Sequence, residues 1–169
     1  LLNDPNGINM GSKRITISTA GVISKIEQFT KNKEKFKLAI SLNGTTNEQR
    51  TSIMPINIKN SLDELLNVAR KYTETVNRWL TFEYVLLKEI NDSVEDAKRL
   101  LIMLAGMKKC KLNIIPYNET DGEFRRPDKD QIENFVIALS PAKFPITVRW
   151  SKGTDIDAGC GQLATRNQV

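Results

Sequence analysis

Residues 80–117 read LTFEYVLLKEINDSVEDAKRLLIMLAGMKKCKLNIIPY, and this stretch decides the fold. Leu80 to Leu87 is dense in aromatic and branched residues, which favour a pleated strand. In Ser93-Val94-Glu95-Asp96 a serine precedes an acid by three positions, the pattern that caps a helix amino terminus. The helix it announces, Ala97 to Met107, is closed by Gly106 and Lys108-Lys109. Lys111 to Tyr117 then returns as a strand. A crossover long enough to hold a helix points to parallel pairing of the two strands.

The same alternation extends in both directions. On the amino side, Arg14 to Ser18 is a β-branched strand ending near Gly21, and Val22, Ile23, Ile26 and Phe29 follow at helical spacing. Phe36 to Leu42 is a second strand, stopped by Asn43-Gly44. Asn47 to Ile53 reads as a short helix broken by Pro55. Ser61 and Glu64 form a capping box ahead of the amphipathic run Leu62, Leu65, Leu66, Ala69, Tyr72 and Val76. On the carboxyl side, a polar loop over 118–126 leads through Pro127 to a helix near Asp128 to Leu139. Ile146 to Trp150 is a fifth strand, followed by a glycine-rich turn around Cys160. The pattern predicts one α/β domain over 1–169 with a parallel sheet. Five strands are too few for a closed eight-stranded barrel, so a partial (β/α) barrel is expected.

Composition narrows the chemistry. The 169 residues carry 25 Lys+Arg and 20 Asp+Glu, a net charge of +5 that mildly favours a polyanionic partner. Histidine is absent, which removes Ser-His-Asp and Cys-His catalysis and histidine zinc centres from this chain. The longest apolar run, Leu100 to Met107, is too short for a bilayer, and no signal peptide is visible at Leu1-Leu2-Asn3-Asp4-Pro5, so no membrane association is expected. Two cysteines fifty residues apart make no disulfide framework, and a cytoplasmic location is expected. The first residue is not Met, and the chain reads as a piece of a longer protein.

In parallel α/β folds ligands bind at the carboxyl ends of strands. Those ends hold Ser18-Thr19, Ser41-Leu42-Asn43 and Asn118, a set suited to an uncharged polar ligand region and equally able to cap the following helices. Cys160, flanked by Gly159 and Gly161, is open to close approach by a ligand or is a small packed thiol. Cys110 reads as packing, and Asp155 and Asp157 as turn and cap residues or as paired acids. Arg125, Arg126, Lys129, Arg149 and Lys152 are candidates for phosphate contacts or a solvated face, and Trp150 for base stacking or a lid.

Taken in order, the strings Asn3-Asp4-Pro5-Asn6-Gly7, Arg14-Ile15-Thr16-Ile17-Ser18-Thr19-Ala20-Gly21, Leu38-Ala39-Ile40-Ser41-Leu42-Asn43, Pro55-Ile56-Asn57, Phe82-Glu83-Tyr84-Val85-Leu86-Leu87, Asn113-Ile114-Ile115-Pro116-Tyr117-Asn118 and Asp155-Ile156-Asp157-Ala158-Gly159-Cys160-Gly161-Gln162-Leu163 resemble the carboxyl-terminal half of the radical-SAM RNA methyltransferases of the RlmN/Cfr type. The resemblance covers nearly the whole chain, and its last string is the most specific. It implies a partial (β/α)6 barrel whose early strands are missing from this chain. It also implies methylation of an adenine ring carbon, carbon 2 ahead of carbon 8, in 23S rRNA, with tRNA a further candidate substrate.

By the same resemblance, Ser18, Ser41, Leu42 and Asn118 match contacts to S-adenosylmethionine. Asn43 aligns with a contact that is usually His. Cys160 matches the cysteine that takes a methyl group from one S-adenosylmethionine, before the radical formed from a second abstracts a hydrogen from that methyl. The ligands of the 4Fe–4S cluster lie upstream of Leu1 in this reading, as do the general base and the second cysteine. An electron donor is implied for the longer protein, and this chain alone is expected to be inactive. Two alternatives stay open: another radical-SAM enzyme with the same half-barrel, or a non-catalytic RNA-binding α/β module. Loss of the early strands is expected to leave an unpaired edge along Arg14 to Ser18 and an exposed apolar inner face.

Overall fold

The computed structural model describes residues 1–119 and 122–150; Lys152, Asp155, Asp157 and Cys160 with its glycine-rich turn lie outside the described residues. The elements are β1 (Thr16–Thr19), α1 (Ile23–Lys31), β2 (Lys37–Ser41), α2 (Asn47–Ile53), α3 (Leu62–Thr75), β3 (Leu80–Leu86), α4 (Val94–Leu104), β4 (Cys110–Pro116), α5 (Lys129–Ala138) and β5 (Ile146–Val148). The strands form one sheet in the order β1-β2-β3-β4-β5. Every neighbouring pair is parallel. Alternate strand residues share one core with α1, α3, α4 and α5, so among the described residues these helices lie on one face and the other is uncovered, as in a partial-barrel arc whose crossovers always step to the next strand.

Burial follows that geometry. Leu38, Ile40, Leu80, Phe82, Tyr84, Leu86, Cys110, Leu112 and Ile114 alternate along β2, β3 and β4 and pack with Ile26, Leu65, Tyr72, Leu100, Leu104 and Phe135 of the helices. The intervening residues face the other way. Register places Ser41, Glu83, Asn113 and Thr147 in one row across four strands, and Ser18, Ala39, Thr81 and Lys111 in the row before. The Thr147 hydroxyl donates to Asn113 Oδ1 within the first row. The uncovered face is therefore largely polar, not the apolar surface expected from sequence, because no helix among the described residues lies over it to bury apolar side chains. Ala39, Val85 and Ile115 are its apolar members. The edge expectation holds, since β1 is an outer strand.

Local differences have local causes. Chain over Ser12–Arg14 forms a 3₁₀ turn, so the first strand starts at Thr16 instead of Arg14. The fourth helix begins at Val94, directly after its Ser93 cap, and ends when Ala105 leaves helical geometry. The fifth strand is three residues long, ending at Val148 before Trp150. Both capping boxes form, Ser61 with Glu64 and Ser93 with Asp96. Among the described residues no helix is long and apolar enough to cross a membrane.

Asp96 does more than cap α4. Its Oδ1 accepts from Thr45 Oγ1 at 2.6 Å, Gln49 Nε2 at 3.0 Å and Arg99 Nη2 at 2.6 Å. These bonds tie the start of α4 to α2 and the loop before it. Burial pushes the Asp96 carboxyl up, but hydrogen bonds from Ser93, Thr45, Gln49 and Arg99 outweigh it and hold the group below its ordinary value. A depressed folded-state value contributes stability that is complete above the unfolded-state value of about 3.9 and is lost as pH falls through the folded one. Asp96→Asn is accordingly expected to lower the urea midpoint at neutral pH and to flatten its fall on acidification. A variant whose midpoint falls as steeply with acid as the parent's would contradict this role.

Candidate functional site

The carboxyl edge of the uncovered face is shaped by a residue type that seldom enters a core. Arg50, on α2, is fully buried. Its Nε donates to the Leu42 carbonyl at 3.0 Å, Nη1 to Asn57 Oδ1 at 2.9 Å, and Nη2 to the carbonyls of Ala20 at 2.6 Å and Ser41 at 3.3 Å. The guanidinium thus clamps the ends of β1 and β2. Among the described residues it has no carboxylate partner, and burial draws its pKa below the ordinary arginine value. Close packing around it excludes side chains. A Cβ on Gly21, whose φ is +104°, would lie 2.8 Å from Arg50 Nη2, and one on Gly44 would lie 2.8 Å from the Arg50 main chain.

Where the β2–β3 ladder ends, side-chain amides continue it. Asn43 takes a left-handed conformation with φ 52°. Its Oδ1 accepts from the Val85 amide at 2.9 Å. Asn91, fully buried, donates to the carbonyls of Asn43 at 3.0 Å and Val85 at 2.8 Å, while its Oδ1 accepts from the Leu87 amide at 2.7 Å. Tyr84 closes the set by donating its hydroxyl to the Asn91 carbonyl at 2.8 Å. Asn118 differs from these. It lies just beyond β4, only 9% exposed, and its Oδ1 has no hydrogen-bond partner among the described residues. A buried acceptor left unpaired costs about 1–3 kcal/mol, so the site suits a ligand that donates there.

The residues singled out from sequence divide accordingly. Ser18 and Ser41 lie on the uncovered face, and Asn118 stands at the same edge two strands beyond Ser41. Neighbouring strands are about 4.8 Å apart, so β1 to β4 spans roughly 14 Å, suited to an extended ligand. The Leu42 side chain lies in the helix-side core at 0% exposure, which leaves only its main chain near the edge. Asn43 is occupied in shaping the turn. Cys110 is buried on the helix side, and burial pushes its thiol up to about 11, consistent with packing. Arg125 donates to the carbonyls of Gly122 and Phe124, Lys129 pairs with Glu133 at 3.6 Å, and Arg149 is exposed. Arg126 stacks 5.7 Å from the Trp150 ring centre, which occupies one face of that indole.

These contacts provide a fit for a polar, hydrogen-bond-donating ligand such as S-adenosylmethionine. They do not fit an iron–sulfur cluster, because no thiol among the described residues faces this edge. Sequence reading missed Arg50, Asn91 and the row containing Glu83 and Asn113. One signal was present for Arg50: α2 reads NEQRTSI and has no apolar stripe, so whatever anchors it must be polar.

No protein-family profile matches the chain. It is 42% identical over 167 residues to the probable dual-specificity RNA methyltransferase RlmN of Leptospira interrogans, covering 99% of this chain and 47% of that protein. A protein of the same name from Clostridium novyi is 42% identical over 170 residues, covering 100% and 49%. The chain thus spans about half the length of the relatives it matches. Among solved structures, a radical SAM methyltransferase from Sphaerobacter thermophilus superposes with a TM-score of 0.89 at 38% identity, covering 95% of this chain and 47% of that one. A domain of a pyruvate-formate lyase-activating enzyme from Bacteroides vulgatus, at 13% identity and TM-score 0.62, shares the fold alone.

Removing the clamp leaves buried carbonyl oxygens unpaired, so Arg50→Met is expected to destabilise the fold by about 3 kcal/mol or more in urea unfolding. Gly44→Ala forces the Arg50 backbone to move and is expected to cost about 1–3 kcal/mol by the same measurement. Parent-like midpoints for both would remove the clamp from the account.

Proposed function

Because the chain shares sequence over nearly its whole length with about half of the RlmN-named relatives, and its described residues share the fold of a radical SAM methyltransferase, we propose that it is the carboxyl-terminal part of an RNA methyltransferase of that kind. The observation that carries the proposal is the superposition on a radical SAM methyltransferase at TM-score 0.89 with 38% identity. In this reading, residues 1–169 form one unit of radical-SAM core plus extension, in a cytoplasmic enzyme that methylates adenine carbon 2. Its substrate is 23S rRNA. The dual specificity in the relatives' name supports a second RNA, which we assign as tRNA. The cluster ligands and the contact with an electron donor belong to the remainder of the longer protein.

S-adenosylmethionine, when bound, supplies the methyl group and the reducible sulfonium. The chain's own residues bind and orient it. The Ser18 and Ser41 hydroxyls present hydrogen-bonding groups on the uncovered face, and Asn118 Oδ1 accepts from a ligand donor. Asn43 and the Leu42 main chain hold the turn between them, and Arg50 keeps the Ser41 carbonyl in place from behind. Cys160 provides the thiol that accepts and carries the methyl group, a task for which serine is a far weaker nucleophile at neutral pH.

In the longer protein, Cys160→Ser is expected to abolish RNA methylation without loss of fold, and mass spectrometry of the parent is expected to show one added methyl on the Cys160 peptide. Undiminished methylation by that variant would overturn the carrier role. Asn118→Ala is expected to weaken S-adenosylmethionine binding about tenfold, the loss of one buried hydrogen bond, in titration calorimetry.

A further inference from the structure

At its other end, by the amino termini of the strands, the uncovered face opens into a groove. This groove has a volume of about 590 Å³, and its walls include Lys13, Lys35, Lys37, Arg78, Lys111 and Trp79. Lys37 opens β2, Trp79 immediately precedes β3, and Lys111 is the second residue of β4. Five cations stand here, as many as the net charge of the whole chain. Among the described residues no carboxylate lines the groove. Among the described residues none of the five is ion-paired; the pairs that form involve Lys88, Lys98, Arg99 and Lys129 instead.

The arrangement has an orienting contact as well as charge. Arg78 Nη1 donates to the Lys35 carbonyl at 2.6 Å, which joins the segment before β3 to the segment before β2. Trp79 is 51% exposed. Like charges gathered in a concave, low-dielectric wall repel one another and raise the local potential, a cost offset only when a polyanion is drawn in. An exposed indole among them adds a stacking plane, a combination used for bases and phosphates of a single strand. An acidic peptide would satisfy the cations but leave the ring unused. Across β2 to β4 the cations spread over roughly 10 Å, more than one phosphate occupies.

We propose that this groove is a second docking site for the RNA strand, in which the five cations hold phosphates and Trp79 stacks a base. It rests on the RNA-methyltransferase reading but not on the site at the carboxyl edge. The seven residues of β4 separate the two ends of the face by roughly 20 Å, so the groove grips nucleotides remote from the one being modified. It therefore favours a large or folded RNA over a short oligonucleotide confined to the carboxyl edge.

The test is anisotropy of a fluorescein-labelled oligouridylate with this chain over a series of salt concentrations. Lys35→Gln, Lys37→Gln and Lys111→Gln combined are expected to weaken binding at least tenfold and to reduce the slope of log K against log salt by about 2, from about 0.7 per lost phosphate contact. In a Trp150→Phe background, RNA is expected to quench Trp79 emission, a readout that needs no charge change. Circular dichroism verifies the fold of each variant. Parent-like affinity and slope in the groove variant, with loss confined to Arg125→Gln with Arg149→Gln, would overturn the groove and leave the methyltransferase reading intact. An unquenched Trp79, or no RNA binding by the unsubstituted chain, overturns it as well. Shielding of Trp79 from acrylamide in the RNA-free longer protein does so too, because protein then fills the groove.

Discussion

A buried guanidinium with only carbonyl oxygens for company governs the working edge of this sheet. Arg50 gives up its hydration and recovers hydrogen bonds to Ala20, Ser41, Leu42 and Asn57, three of them main-chain acceptors at strand ends. Hydrogen bonds from a charged donor are the stronger class, at about 1.5–3 kcal/mol each, and together they offset a desolvation that no carboxylate relieves. The surroundings conform to that requirement. Gly21 and Gly44 lack side chains where the guanidinium and its backbone pass, and Asn57 is held in turn by Asn47 and Thr51. Asn47 Oδ1 also accepts the Leu62 amide, so the network runs on into the first turn of α3.

The two ends of the uncovered face carry opposite electrostatic characters. Toward the carboxyl edge the side chains are uncharged, hydroxyls and amides beside Val85 and Ile115, with Glu83 the lone carboxylate among the described strand residues of that face. Toward the amino edge they are cationic. Charge thus changes along the strands and not across them, and it follows strand polarity that all five strands share. A mixed sheet would interleave the two characters. Parallel pairing keeps each at its own end.

Much of the architecture was legible because it depends on local signals. Leu80 to Leu86, the two capping boxes and the helix before Pro55 were readable within windows of a few residues, and parallel pairing followed from connection lengths. The polar inner row was not, since Ser41, Glu83, Asn113 and Thr147 become neighbours only once register is known. Arg50 was hidden for a related reason: a charged residue on a short polar helix looks solvated until the backbone carbonyls it meets, from 8 to 30 residues away, are in place. Residue type nominated Asn118, but its unpaired oxygen is a property of packing. The segment with Cys160 rests on resemblance throughout.

The strand order has a bearing on how the chain acquires its structure during synthesis. Each strand pairs with the one made just before it, so no strand waits for a partner from the far end of the polypeptide. Parallel pairs need a completed crossover before they can form, yet here every crossover is finished by the time its second strand is made. The sheet can therefore assemble in the direction of translation, one strand and helix at a time. Its growing edge is always the strand that the next segment will cover, which shortens the period during which an open edge is available to other chains.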